Sequence, residues 1–148
     1  MKPIQKLLVP TDFSEHSAFA LEWGADLAKR YGASLTLVHV YPVVNYAAAE
    51  GFALYTPQQL ANLLTQLDQQ LKAAAAQARA AGLTAVETSL VQGDAYQELL
   101  ALAPNYDLVV MGTHGRTGLK HALLGSVAEK LVRTATCPVL TVRANTQS

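Results

Sequence analysis

Apolar positions along this chain follow two periods in turn. Short runs dense in Leu, Val and Ile are separated by longer stretches in which apolar residues recur every three or four positions. Residues 4–10 (IQKLLVP) form the first short run, closed by Pro10-Thr11-Asp12. The pattern then predicts a helix from about 15 to 31, stopped by Gly32, where a left-handed residue is wanted after the last turn. Residues 34–40 (SLTLVHV) are apolar and β-branched and read as a second strand. Residues 41 to about 55 contain Pro42, Asn45 and Gly51 and read as a loop. It is longer than the usual ~4–6 residues.

Thr56-Pro57-Gln58-Gln59 places Thr at the N-cap, Pro at the first helical position and Gln two further on, a capping box. The helix behind it carries Leu60, Leu63, Leu64, Leu67, Leu71, Ala74 and Ala78 on one face and ends at Gly82. Residues 84–91 read as a third strand. Asp94-x-x-Gln97 starts a short helix that Pro104 terminates. Residues 108–111 read as a fourth strand, 126–134 as an amphipathic helix and 137–142 as a fifth strand. Strands joined by helices demand parallel pairing and right-handed crossovers, so the expected fold is a doubly wound α/β sheet. No linker or repeat interrupts the alternation, and residues 1–148 read as one domain.

Composition narrows the function classes. Hydrophobic residues are 51% and charged residues 15%, as suits a filled interior. The formal net charge is +0 with no run of Lys or Arg, which argues against a nucleic-acid partner. No segment approaches the ~20 apolar residues of a membrane span. The first residues lack the apolar core and cleavage site of a signal peptide, so the expected location is cytoplasmic. Cys137 has no cysteine partner and reads as a small buried hydrophobe.

The chemistry concentrates in residues 111–127, MGTHGRTGLKHALLGSV. Gly112, Gly115, Gly125 and Ser126 fit G-x2-G-x9-G-[ST], between a buried strand and a helix start. Glycine lets backbone approach an anion closely, and the free N–H groups of a helix start point at it, so this arrangement suits phosphates. Ser126-Val127-Ala128-Glu129 is also a capping box. If the Ser126 side chain caps its own helix, the N–H groups of Ser126 and Val127 remain for phosphate. His114 and Arg116 supply cations inside the loop, with Lys120 and His121 as less defined neighbours.

Ligands in such sheets sit at the C-terminal ends of the strands, where the strand order reverses. That rule selects Pro10-Thr11-Asp12 and Met111-Gly112. Asp12 suits ribose hydroxyls or a metal carried by the phosphates; the alternative is the N-cap of the next helix, through Asp12-Phe13-Ser14-Glu15. Val40 either reads an adenine edge with its backbone or is an ordinary core valine. His39 reads as a hydrogen-bonded strand residue. No two of His16, His39, His114 and His121 have H-x3-H spacing, which disfavours zinc. There is no G-x4-G-K-[ST] and no G-x-G-x-x-G after the first strand. A Ser-Gly-Gly loop and the acidic constellation of a response-regulator receiver are also missing.

Taken together, the chain resembles the universal stress protein family in its ATP-binding branch. The likeness runs through Leu7-Leu8-Val9-Pro10-Thr11-Asp12-Phe13-Ser14, Leu37-Val38-His39-Val40, Gly93-Asp94 and the stretch from Asp107 to Gly115. It continues in Leu124-Gly125-Ser126-Val127-Ala128-Glu129 and Cys137-Pro138-Val139-Leu140-Thr141-Val142. The resemblance implies a Rossmann-like, adenine nucleotide alpha hydrolase-like sheet of strand order 3-2-1-4-5. It implies adenine near Val40, ribose near Asp12 and Gly112, and phosphates on Gly115, Gly125, Ser126 and Val127. Pro10 and Thr11 would shape the wall, and Met111 would lie beneath the nucleotide. The implied cofactor is ATP, carried with Mg²⁺ or Mn²⁺, and the implied assembly is a homodimer through residues 138–142. Two functions fit: a nucleotide-dependent stress-response module that presents a changed surface to a protein partner, or a slow metal-dependent ATPase or nucleotidyl-transfer enzyme. No residue stands out as a dedicated general base.

Overall fold

In the computed structural model, which describes residues 1–43, 55–114 and 124–144, strands and helices alternate as the pattern predicts. They are β1 (Lys6–Pro10), α1 (Glu15–Tyr31), β2 (Ser34–Tyr41), α2 (Pro57–Ala80), β3 (Val86–Gln92), α3 (Ala95–Leu102), β4 (Leu108–Gly112), α4 (Ser126–Thr134) and β5 (Val139–Val142). A single 3-10 turn, Ala103–Asn105, follows α3 and contains Pro104. All four strand pairings are parallel, and the order is β3-β2-β1-β4-β5. The direction of winding reverses between β1 and β4. There the ladder registers Leu7 with Leu108 and Leu8 with Val109, and the last residues of both strands run on to the crevice described below.

Side chains alternate across each strand, so one sheet feeds two cores. Leu7, Val9, Leu35, Leu37 and Val110 face α1 and α2, against Ala20, Ala25, Ala28, Leu71, Ala75 and Ala78. Leu8, Val38, Val109 and Met111 face the other way, against Leu99 and Ala103 and against Ala128 and Leu131 of α4. Among the described residues no helix is long and apolar enough to cross a membrane.

The caps explain where the helices begin and end. Gly32 takes φ 65° and ψ 32° after α1. Thr56 and Gln59 form the reciprocal capping box of α2, and Asp94 caps α3 by accepting from the Gln97 N–H. Two caps that the sequence left as alternatives are not formed. Ser14, not Asp12, is the N-cap of α1, and Asp12 Oδ1 instead accepts the Ser14 N–H at 2.9 Å. Gly125, not Ser126, is the N-cap of α4, with no side-chain cap; its carbonyl accepts from Glu129 N–H. Ser126 is thus the first helical residue, and its hydroxyl is not in capping position. Cys137 is only half-buried, packed beside the α3/α4 core rather than within it. At the opposite end of the sheet, Lys2 Nζ lies 2.9 Å from Asp107 Oδ1. The backbone N–H groups of Gln5 and Lys6 donate to Asp107 Oδ2.

Candidate functional site

The turn between β1 and α1 is wound by side chains onto backbone. Thr11 N–H donates to the Val38 carbonyl, fixing the end of β1 against β2. Thr11 Oγ1 accepts the Phe13 N–H at 3.0 Å and donates to Ser17 Oγ at 3.0 Å. Ser17, buried in the first turn of α1, donates in turn to Asp12 Oδ1 (3.0 Å) or the Ser14 carbonyl (2.9 Å). Asp12 is therefore a carboxylate whose direction is set by its own helix start.

The end of β4 meets the same helix start at backbone distance. A Cβ on Gly112 would lie 3.0 Å from the backbone carbon and oxygen of His16. Thr113 is buried, its N–H donates to the Val142 carbonyl and its own carbonyl accepts the Gly125 N–H. The chain thereby returns from its glycine loop beside the strand it left. The α4 helix makes its first internal bond from Glu129 N–H to Gly125 carbonyl, so it does not use the N–H groups of Ser126 and Val127. Gly125 itself has φ −66°, an ordinary conformation. Glycine is therefore not required there for backbone freedom.

Between these parts lies a cavity of about 320 Å³, within the range of small-ligand sites. Pro10, Thr11, Asp12, Val40, Met111, Gly112, His114, Gly125, Ser126 and Val127 all line it. Gly115 and Arg116, with Lys120 and His121, lie outside the described residues. Sequence reasoning missed Ser17, Val38, Ala95, Leu99, Thr113 and Ala128 as wall residues, and it placed His39 in the strand without placing it on the cavity. Leu99 and Ala128 come from α3 and α4, and only the pairing of distant elements brings them here.

The lining is divided chemically. Val38, Val40, Leu99, Met111 and Ala128 make an apolar wall, while Asp12 and the α4 start are polar. Such a site takes a flat apolar ring on one side and an anion at the helix start. His114 Nδ1 lies 3.0 Å from Thr113 Oγ1, and its ring approaches that of His16 at 5.6 Å. The sequence spacing gave no hint of that pair. Among the described residues no three His, Cys, Asp or Glu side chains converge as a metal site.

Comparison with known proteins agrees with this architecture. The sequence model of the universal stress protein family matches residues 3–143. A universal stress protein of Methanocaldococcus jannaschii, MJ0531, is 34% identical over 144 residues, covering 94% of this chain and 82% of its own. The solved structure of hypothetical protein MJ0577 superposes with a TM-score of 0.80 at 29% identity, covering 99% of this chain and all of its own. A universal stress protein solved in complex with cAMP matches with a TM-score of 0.74 at 26% identity, covering 95% of this chain and 98% of its own. With the strand order, the crevice and a match over nearly its whole length in agreement, this chain belongs to the universal stress protein family.

Proposed function

We propose that the cavity binds ATP, with Mg²⁺ or Mn²⁺ carried on its phosphates, and that the chain is a cytoplasmic, homodimeric, nucleotide-dependent module of a stress response. One observation carries the reading: residues remote in sequence bring an apolar wall, an oriented carboxylate and an unspent helix start to a single cavity. Adenine packs on Val40 and Met111, with the Val40 backbone reading its edge. The ribose faces Asp12. The phosphates lie along the Ser126 and Val127 N–H groups and the glycine loop. The relative bound to cAMP supports an adenine nucleotide as the ligand class.

Isothermal calorimetry with ATP and GTP tests this reading. ATP should bind and GTP should bind more weakly, and equal affinities would remove the adenine assignment while leaving the phosphate assignment. A single-turnover assay with labelled ATP and metal, run beside Gly115→Val, separates a binding module from a slow ATPase.

A further inference from the structure

We propose that His39 is a positioning residue of this site: one imidazole holds both neighbours of Asp12 and so sets where its carboxylate stands. The proposal rests on the nucleotide reading above. On β2, Val38 and Val40 belong to the α3/α4 layer, so His39 between them faces the α1 layer. Its Nδ1 lies 2.7 Å from the Thr11 carbonyl oxygen. A carbonyl only accepts, so Nδ1 carries the proton and donates. The ring also lies against Phe13, with centroids 4.6 Å apart.

Phe13 needs holding. At φ 63° it is the one non-glycine residue with positive φ among those described, and a bulky side chain resists that conformation. Its restraints include the Thr11 hydroxyl, which accepts its N–H, the tilted His39 ring and packing against the core on the α1 side of the sheet. Asp12 is thus bracketed by Thr11 and Phe13, both in contact with the same His39 ring. An outlier maintained by its surroundings beside a ligand cavity marks a site where position matters more than local comfort. His39 acts through Asp12 and, in the nucleotide reading, through the sugar that Asp12 faces.

The test compares the unmodified protein with Asp12→Ala, His39→Ala and His39→Asn. Three ligands are titrated: ATP, 2′,3′-dideoxy-ATP and inorganic tripolyphosphate. Amide exchange is followed at Phe13 and Ser14. Asp12→Ala should abolish the preference for ATP over the dideoxy nucleotide. His39→Ala should cut that preference roughly tenfold, as for one lost hydrogen bond. It should leave tripolyphosphate affinity unchanged and speed exchange at both amides. His39→Asn should recover most of both, because its amide N–H sits where Nδ1–H does. The proposal is overturned if His39→Ala keeps the original preference, if it loses tripolyphosphate binding equally, or if asparagine gives no recovery. Failure of the unmodified protein to bind ATP overturns the nucleotide reading instead. In that case, unchanged exchange in His39→Ala overturns the clamp independently.

Discussion

The glycines at 112 and 125 occupy similar places in the loop motif but answer different physical demands, and the difference is measurable. Gly112 is pinched against the His16 backbone, which has no flexible end to withdraw. Gly112→Ala should lower unfolding free energy by about 1–3 kcal/mol in a urea titration. Gly125 has φ −66° and serves as a helix N-cap, so Gly125→Ala should cost under about 1 kcal/mol. Loss of ATP binding in that variant then reports obstruction of the phosphates. Asp107 carries a different prediction. Lys2, then the Gln5 N–H, hold its carboxyl at about 2, below the ordinary 3.8. A folded value below the free one means the latch contributes fully above the free value and is lost as pH falls through about 2. Carboxyl NMR should place its midpoint near 2, and in Lys2→Ala the midpoint should move up. A midpoint unmoved by that substitution excludes Lys2 as the main cause.

Elements show which information is local. Leu71 of α2 and Leu131 of α4 are fully buried on opposite faces of the sheet. Truncating either to Ala should cost about 2–5 kcal/mol, and the two losses should add, since the sheet separates them. A double variant well short of the sum would mean the layers relax together. The α2 helix is legible because its cap and apolar stripe lie within a few residues of each other, in Thr56–Gln59 and the face from Leu60 to Ala78. Even the α1 and α4 bounds agree with the pattern. Ser126 looks like a cap in isolation, whereas the return of Gly125 to the Thr113 carbonyl makes Gly125 the N-cap and leaves the helix start at Ser126. The site was legible where a motif lies along the chain. It was not legible where a partner comes from another strand: His39 and Thr11 are 28 positions apart, and no local pattern marks their bond. Strand ends were blurred likewise, since pairing sets them. Pro138 brings its carbonyl to Val109 but has no N–H to continue the ladder, and β5 begins at Val139.

At the scale of the whole molecule, β5 ends the sheet with β4 on one side only. The Pro138 and Val142 carbonyls face β4, so by alternation the backbone groups of Val139 and Thr141 face outward. An open apolar edge invites a partner strand, and the proposed dimer pairs two copies of β5 there. Val142 is buried, which makes an Asp at that position a test of the core rather than of the edge. Thr141→Pro is the cleaner variant, because it removes an outward donor and leaves the bonds to β4 in place. Light scattering at tens of micromolar should show a dimer for the unmodified protein and a monomer for Thr141→Pro, with unchanged circular dichroism. A monomer in both would mean that this edge is not the interface.

The reversal of winding between β1 and β4 divides the sheet into two blocks, and the cavity opens at the end of that join. A nucleotide seated there would touch Pro10 and Val40 of one block and Met111 and Val127 of the other, and would act as a rivet across the join. At a concentration 100 times its dissociation constant, such a ligand adds about 2.7 kcal/mol against opening. Proteases that attack the opened chain would then meet it less often when nucleotide is plentiful. The lifetime of the protein would become a gauge of the cell's energy supply.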